Sequence, residues 1–368
     1  MGGKRVSIRD VAARAGVSTA TVSNVFSGRK AVNDDLRKRV LQAAAELGYS
    51  VDRAASQLRS GRTSVIAVLV PDLTDTFFAT IVTSIEARAS MLGYDVIVAS
   101  SRDDRATEAS RLKALLAWRP AGIIAVPCSN DMPAALTDNS DGLPVVLVDR
   151  VARDLRSVDS VVIDNADAGE IAARHLVEHG HRHIVIASSR NEIAPIAERI
   201  AAASRFIVDK TGIEPTVLEV GTVPEQGAGI FTKWLERHPV PDAVMATTNV
   251  TTLAVLSAFA RFHIAVPDRT SLVAFDDDTW MSARNTGLTA VRQPVEEIAE
   301  AAFERLMFRM NHAGDAKPKS IVLGASLVVR ASVARRSADP RGDGDETDIE
   351  GHMRTVEEAR RRAKNSLH

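Results

Sequence analysis

The sequence predicts a short all-α unit followed by a two-lobed α/β body that contains two doubly wound parallel sheets. Two observations predict this arrangement. Up to Gly48, apolar residues recur at helical spacing and glycines interrupt the pattern, whereas from Val65 onward apolar strands alternate with amphipathic helices. Continuous apolar strands are typical of parallel sheets covered by helices on both faces. The 368 residues and 45% hydrophobic content suffice for such a multidomain chain.

Three short helices are predicted near the N-terminus. Ser7 is a favourable N-cap with Asp10 three residues later, and Gly16 ends the first helix. Ser18 caps the second helix, and a third begins at Asn33 and stops at Gly48. The apolar faces consist of Ile8, Val11, Ala12 and Ala15, then Val22 and Val25, then Leu36, Val40, Ala44 and Leu47. Short helices joined by a glycine turn predict a helix-turn-helix.

The second helix presents short polar side chains that suit the floor of a DNA major groove. These outward positions are Thr19, Ala20, Thr21, Ser23 and Asn24. Residues 1–62 contain twelve Lys or Arg and five Asp or Glu, whereas the other 306 residues contain 34 basic and 42 acidic side chains. A basic head on an acidic body favours binding to a polyanion. The alternative is a solvated helical face in a small three-helix bundle.

The segment VDRAASQLRSGRT predicts a short helix over Arg53–Leu58 and a polar linker before the first strand. Leu58 ends a polar, basic segment and has no obvious core to join. An apolar side chain inserted into a DNA minor groove would explain it. Packing against a partner chain, or against the body, is the alternative.

The motifs IRDVAARAGVSTATVSNVFSG, DRAASQLRSGRT and VLVPDLTDTFF resemble the LacI/GalR family of bacterial transcription regulators, from about Val6 to Val333. This resemblance implies a homodimeric repressor that binds double-stranded, pseudo-palindromic operator DNA. DNA contacts are then expected at Ser7, Ser18, Thr19, Ala20, Thr21, Ser23, Asn24, Asn33, Arg53 and Leu58. It also implies a periplasmic-binding-protein-like body in which the chain crosses between the lobes near residues 164, 292 and 324.

Strand and helix candidates in the body fall into two sets. The strands are Val65–Val70, Val96–Ser100, Gly122–Val126, Val145–Val148 and Val161–Ile163, then Ile184–Ala187, Val217–Val220, Ala243–Thr247 and Ser271–Phe275. Helices between them include Phe77–Leu92 and Glu108–Trp118. Ligands of such sheets bind beyond the carboxyl ends of the strands. Two halves that face each other therefore predict a ligand cleft.

Polar and aromatic residues follow these strand ends, as recognition of a polyhydroxylated ligand requires. The effector-binding candidates are Asp72, Thr76, Phe77, Asp149, Arg199, Thr248, Asn249, Asp276 and Trp280. The family resemblance places effector contacts at Asp276, Arg199 and Phe77, and implies a sugar or sugar-derived effector that alters operator affinity. For Asp149 and Asp164, capping a loop or holding a lobe crossover is an equal alternative.

The expected domains are a helix-turn-helix domain at 1–49, a hinge at 50–62 and a two-lobed domain at 63–336. Within the latter, the N-lobe takes about 63–163 and 294–323, and the C-lobe about 164–293 and 324–336. Residues 337–368 are polar, rich in Gly and Asp at first, and predict disorder with one short helix. The tail has too few apolar positions for a zipper, so we expect no tail-mediated tetramer.

Other chemistry has little support in the sequence. The sequence contains no phosphate-binding glycine motif. The closely spaced His179, His181 and His183 are better explained as structural residues than as metal ligands. We therefore expect no metal, no cofactor and no catalytic residues. A single cysteine, Cys128, and the lack of a signal peptide or long apolar run indicate a cytoplasmic protein without a membrane span. The competing classes are a small-molecule carrier with the same two-lobed body, and an α/β enzyme with a DNA-binding head.

Overall fold

A computed structural model describes residues 6–27, 32–49, 63–137, 142–151, 155, 157–312 and 317–336. The chain divides into two compact units, Met1–Ser64 and Val65–His368. We call them the head and the body and describe each by itself. The hinge candidates Arg53 and Leu58 and the tail 337–368 lie outside the described residues.

The head contains three helices, α1 (Ile8–Ala15), α2 (Thr19–Ser27) and α3 (Asp34–Leu47). Val11, Val22 and Val40 are fully buried where the helices meet. Ala43 also joins this core, whereas Leu36, which we predicted to be buried, is only half-buried because it lies in the first turn of α3. The head is thus a small bundle with a valine and alanine core.

Polar caps define the ends of the head helices. The Ser7 N–H donates to Asp10 Oδ2 at 2.8 Å, which fixes the start of α1 as the sequence predicted. Gly16 ends α1 with a left-handed φ of 64°, a conformation that glycine adopts without strain. Arg39 of α3 donates to the Ala15 carbonyl at 2.6 Å. Helices α1 and α3 are therefore joined at the turn of the helix-turn-helix.

The body alternates strands and helices along the chain. In order they are β1 (Val65–Val70), α4 (Thr76–Met91), β2 (Asp95–Ser100), α5 (Arg105–Ala117), β3 (Gly122–Ala125), α6 (Ala134–Thr137), β4 (Val145–Val148), β5 (Asp159–Ile163), α7 (Asn165–Glu178), β6 (Ile184–Ser188), α8 (Ala194–Thr211), β7 (Thr216–Glu219), α9 (Pro224–Leu235), β8 (Ala243–Ala246), α10 (Asn249–Phe262), β9 (Ser271–Phe275), α11 (Thr279–Ser282), β10 (Thr289–Arg292), α12 (Val295–Asn311), β11 (Ser320–Leu323) and β12 (Ser326–Val328). The nine predicted strands are present, with ends displaced by one or two residues at most.

Two six-stranded sheets form the two lobes of the body. The N-lobe sheet has the order β11-β5-β4-β3-β1-β2, and all of its pairs are parallel. The C-lobe sheet has the order β12-β10-β9-β8-β6-β7, in which only β10 and β12 pair antiparallel. The chain passes from the first sheet to the second after β5, returns after β10, and passes again between β11 and β12. The three strands that we did not predict, β10 to β12, are the ones that follow or flank these passages.

Helices cover both sheets and bury their apolar strands. In the N-lobe, α4 packs against α12, and Ile81 and Ile85 of α4 are fully buried. Helix α12 follows the second passage between the lobes, so a helix from late in the chain covers the first sheet. In the C-lobe, α7 packs closely on α8 because Gly169 has no side chain. A Cβ atom at Gly169 would lie 2.3 Å from the Arg199 carbonyl oxygen. This close approach fixes the segment of α8 that carries Arg199.

Within the described ranges, no helix is both long enough and apolar enough to cross a lipid bilayer.

Candidate functional site

A cavity of about 450 Å³ lies between the two lobes, where loops at the carboxyl ends of both sheets face each other. Loops after β1, β2 and β4 form its N-lobe wall, and the start of α8 and loops after β6 to β10 form its C-lobe wall. Six of the predicted effector residues line it: Asp72, Phe77, Asp149, Arg199, Thr248 and Asp276. The cavity lies where parallel strands of both lobes end, as expected for this topology.

Arg199 is the most completely enclosed charged group of the cavity wall, with 2% of its surface exposed. Its Nε donates to Asn165 Oδ1 at 2.9 Å, and Nη1 donates to the Thr247 carbonyl at 2.7 Å. The guanidinium lies 4.3 Å from the centroid of the Phe275 ring. These two hydrogen bonds and the contact with the Phe275 ring fix the orientation of the Arg199 guanidinium. Its remaining edge is therefore oriented before a ligand binds.

Asp276 follows β9 and has a positive φ of 80°, which turns its side chain toward the neighbouring loops. Its Oδ2 accepts from the Asn249 N–H at 2.8 Å, and Oδ1 accepts from Gln293 Nε2 at 2.6 Å. Burial raises the pKa of the Asp276 carboxyl, and the nearby Arg199 guanidinium opposes that rise. The two predicted effector contacts therefore form one electrostatic unit at the C-lobe wall.

On the N-lobe side, Asp149 and Phe77 line the same cavity as Arg199 and Asp276. Asp149 follows β4 with a positive φ of 64°, and burial raises its pKa against the opposing effect of Arg199 and Arg150. Phe77 is buried at the start of α4 and packs edge-on against Phe78 at 5.1 Å between centroids. A carboxylate, a guanidinium and a ring face thus share one cavity, which suits a ligand with hydroxyl groups and an apolar face.

Some predicted residues use their side chains locally. Asp72 is exposed and accepts from the Thr74 N–H at 2.8 Å within its own loop. Thr248 caps α10, where its Oγ1 accepts from the Thr251 N–H at 3.2 Å. Asp164, the residue at the first passage between the lobes, caps α7 by accepting from the Asp167 N–H at 3.1 Å. Asp72 and Thr248 therefore border the cavity with side chains that already have partners, and Asp164 is not among the residues that line it.

Thr76, Asn249 and Trp280 do not line this cavity, which differs from the sequence prediction. Asn249 Nδ2 donates at 3.2 Å to each of three acceptors, Asp75 Oδ1, Thr76 Oγ1 and Asp278 Oδ2. Thr76 Oγ1 donates to Asp278 Oδ1 at 2.6 Å, and Trp280 Nε1 donates to Asp278 Oδ2 at 3.2 Å. Thr76 and Asn249 therefore use their side chains in contacts across the lobe boundary, and Trp280 uses its indole N–H within the C-lobe, rather than at the cavity wall. We call Asp75, Thr76, Asn249 and Asp278 the interlobe seam.

A second contact between the lobes lies on the cavity wall and was not predicted. Asp103 of the N-lobe forms ion pairs with Arg150 of its own lobe and with Arg190 of the C-lobe, the latter at 3.1 Å. Asn130 adds two bonds to the C-lobe, from its Nδ2 to the Glu192 carbonyl at 2.8 Å and from the Ala194 N–H to its Oδ1 at 2.7 Å. Asp103 follows the end of β2, so applying the strand-end rule to every strand would have found it.

The DNA-contact candidates of the head have different degrees of exposure. Thr19, Ala20 and Ser23 are exposed on α2, whereas Thr21 and Asn24 are half-buried. Thr21 and Asn24 are therefore only partly accessible on the outward side of α2, because α2 packs against its neighbours. The side chains of three other DNA-contact candidates already have hydrogen-bond partners within the head. Ser18 Oγ accepts from the Thr21 N–H at 3.1 Å, Asn33 Oδ1 accepts from the Asp35 N–H at 2.9 Å, and Ser7 bonds to Asp10.

Two residues that could suggest other chemistry have structural surroundings. Cys128 is 1% exposed and donates to Ser101 Oγ at 3.0 Å, and burial raises its pKa to about 11. His181 is 1% exposed with Nε2 at 3.0 Å from the Ala334 carbonyl, and burial lowers its pKa to about 4. Among the described residues, no group of three His, Cys, Asp or Glu side chains is placed to hold a metal ion.

Comparison with known proteins identifies both parts of the chain. Residues 7–52 match the family of bacterial regulatory proteins of the lacI type, and residues 173–333 match the periplasmic binding protein-like domain. The HTH-type transcriptional regulator PtxS of Pseudomonas plecoglossicida is 34% identical over 337 residues, which cover 90% of this chain and 97% of that protein. The chain belongs to the LacI family.

Solved structures of LacI-family proteins share the architecture. The lac repressor dimer bound to operator and the anti-inducer ONPF is 26% identical, with a TM-score of 0.80 over 90% of this chain and 100% of that one. The transcriptional regulator CelR in complex with cellobiose is 27% identical, with a TM-score of 0.66 over 89% of this chain and 100% of that one. The chain is accordingly a DNA-binding transcriptional regulator with a helix-turn-helix head and a two-lobed body.

Proposed function

We propose that this LacI-family regulator binds operator DNA as a homodimer and represses transcription, and that a small molecule in the interlobe cavity alters its affinity for the operator. The operator is a double-stranded, pseudo-palindromic site, because two identical heads read two half-sites. The lac repressor structure, a dimer on its operator, supports this assignment by similarity.

The observation that carries the effector part of the proposal is the cavity of about 450 Å³ between the lobes. Its C-lobe wall presents Arg199 and Asp276 in fixed orientation, and Phe77 offers a ring on the N-lobe side. Paired hydroxyl groups accept and donate bidentate bonds, and the apolar face of a sugar ring packs on an aromatic side chain. The effector class that fits is a sugar or a sugar-derived metabolite, which CelR with cellobiose supports by similarity.

For DNA, the proposed base-reading residues are Thr19 and Ala20, exposed at the start of α2, and Asn24 one turn later. The remaining head candidates position the head on phosphates. Ser7 and Ser18 begin α1 and α2, and Asn33 begins α3, so that their neighbouring N–H groups lie at helix N-termini, where phosphate oxygens bind. Arg53 and Leu58 of the hinge remain predictions from the sequence.

We propose the division of the chain that the sequence predicts: a helix-turn-helix domain at 1–49, a hinge at 50–62, a two-lobed domain at 63–336 and a tail at 337–368. In this division the hinge transmits lobe geometry to the heads. The regulator works in the cytoplasm, where its operator lies, and binds its effector without turnover. Its relatives are transcriptional regulators by name, which supports a role other than catalysis.

The alternative is a small-molecule carrier or sensor that has the same body and no operator-specific role. Genomic footprinting of bound sites, followed by fluorescence anisotropy on the recovered duplex and on a scrambled duplex of equal length, separates the two. The proposal predicts binding to the recovered duplex at least 10³-fold tighter than to the scrambled one, the usual lower range for specific binding. Equal affinity for both duplexes would favour the carrier.

A further inference from the structure

The interlobe seam concentrates carboxylates from both lobes around one amide. Asn249 Nδ2, at the start of α10, lies 3.2 Å from Asp75 Oδ1 of the N-lobe and 3.2 Å from Asp278 Oδ2 of the C-lobe. Its backbone N–H binds Asp276 at 2.8 Å. Three carboxylates thus accept hydrogen bonds from the same residue, Asn249. Because Asn249 is only 5% exposed, its side chain cannot turn to solvent and leave these carboxylates.

The charged groups that act most strongly on Asp75 are carboxylates. Asp276 and Asp278 face it from the loop after β9, Asp72 lies on its own loop, Asp149 and Arg199 share the main cavity wall, and Glu296 of α12 lines the cavity of about 220 Å³ that adjoins the seam. The cations that line the same two cavities have other partners or are exposed. Arg199 lies beside Asp276 and Asp149, Arg292 pairs with Asp277, Arg150 and Arg190 pair with Asp103, and Arg102 is exposed. An ionised Asp75 would therefore face Asp278 across the lobe boundary without a cation of its own among these groups.

Burial and the neighbouring Asp276 raise the pKa of Asp75 from its ordinary 3.8 to about 7. We propose that protonation of Asp75 stabilises the interlobe seam. The two lobes then stay joined at pH values below neutrality and part as Asp75 ionises. Neutral Asp75 keeps its acceptor for Asn249 and does not repel the neighbouring carboxylates, whereas ionised Asp75 repels Asp276 and Asp278.

The sign and size of the pH effect follow from linkage. With the lobes joined, Asp75 holds its proton up to about pH 7, whereas after parting it regains an ordinary carboxyl pKa near 3.8. Joined lobes therefore bind more protons between these values and are favoured as pH falls. The ratio of joined to parted lobes should fall about tenfold from pH 6 to pH 8 and change little above pH 8.

Distance measurement by pulsed electron resonance tests the proposal on the full-length, ligand-free protein. Nitroxide labels at exposed Lys113 of the N-lobe and Lys233 of the C-lobe report the separation of the lobes. Labelled chains are diluted with unlabelled chains so that distances between subunits do not contribute. The comparison variant is Asp75→Asn, because asparagine keeps the N-cap of α4, where Asp75 Oδ1 accepts from the Phe77 N–H at 3.0 Å.

We expect the wild-type ratio of short to long distances to fall about tenfold between pH 6 and pH 8. Asp75→Asn should keep the short distance at both pH values, and Asp131→Asn, at an exposed N-lobe position, should respond like the wild type. An unchanged wild-type ratio, or an equal pH response in Asp75→Asn, would overturn the proposal. The measurement needs neither DNA nor effector, so its failure would leave the proposed regulatory function intact.

Discussion

Single residues decide what each surface of this regulator recognises. In the cavity, Arg199 is held by Asn165 and Thr247, and Asp276 is held by Gln293 and the Asn249 backbone. These contacts fix both charged groups in advance, which reduces the entropy that ligand binding must overcome. On the head, the exposed side chains of α2 are short, so that base edges can approach closely.

Replacing both Thr19 and Asn24 with alanine should lower operator binding far more than binding to scrambled DNA. Good base contacts are worth roughly 1–3 kcal/mol each, so the double variant should lose about 30-fold to 10⁴-fold in specific affinity. Fluorescence anisotropy on the two duplexes measures the difference. Gln42→Ala, an exposed change on α3, is the control and should leave both affinities unchanged. Equal losses on both duplexes would mean that Thr19 and Asn24 contact only phosphates.

At an effector concentration near the wild-type Kd, Asp276→Ala should not respond to effector, and its operator binding should stay intact. Losing a charged partner of a ligand hydroxyl costs roughly 1.5–3 kcal/mol, so effector affinity should drop about ten- to hundredfold. Asp276→Asn, which keeps the size of the side chain, should act in the same direction. Calorimetry measures effector affinity, with exposed Asp131→Asn as control. Unchanged effector affinity in both Asp276 variants would remove Asp276 from the binding site.

The sequence could predict which loops meet at the cavity but not the direction of every side chain. Phe77, Asp149, Arg199 and Asp276 line the cavity because parallel strands end at a common edge. Thr76 and Asn249 follow strands in the same way, yet they bond across the lobe boundary and turn from the cavity. Their direction depends on partners far along the chain, as when Thr76 binds Asp278. Neither periodicity nor spacing reveals such pairs.

Among the elements, the long apolar strands and capped helices were predictable and the strands near the lobe passages were not. β1 and β9 read as continuous apolar runs, and the structure gives them the predicted bounds. β10 to β12 have three or four residues each, and β11 and β12 are partly exposed, so their short apolar stretches do not stand out as buried strands. The hinge at Arg53–Leu58 is an element that only the sequence addresses.

Leu58→Ala tests the hinge prediction. A segment of six residues is too short to be a stable helix alone, so we expect Arg53–Leu58 to become helical when two copies meet on the operator. Leu58 of each copy would then insert between base pairs of the minor groove and bend the DNA. The variant should weaken operator binding and reduce bending, measured by circular permutation of the operator, with thermal unfolding within about 1 kcal/mol of wild type.

The control for the hinge is Val329→Ala, a change at an exposed apolar position of the body that should affect neither binding nor bending. Strong destabilisation of free Leu58→Ala protein with unchanged DNA bending would show that Leu58 packs on the body instead.

At the scale of the whole molecule, the N-terminal part of the chain is basic and the remainder is acidic. Residues 1–62 carry a net charge of +7 and the rest carries −8. Two basic heads on one operator displace several counterions, so operator affinity should fall steeply and linearly on a log–log plot against salt. The net negative charge of the body disfavours its binding to DNA phosphates. We therefore expect a change in the lobes to act on DNA binding through the spacing of the two heads.

The most direct test of this account is operator affinity with and without a ligand of the cavity, measured by fluorescence anisotropy on the footprinted duplex. The ligand is selected by thermal shift from a panel of sugars and sugar acids. The account predicts that it changes wild-type affinity by about 5- to 150-fold, the usual range of coupling between sites, and leaves that of Asp276→Ala unchanged. A ligand that binds the wild-type cavity and leaves operator affinity unaltered would contradict it.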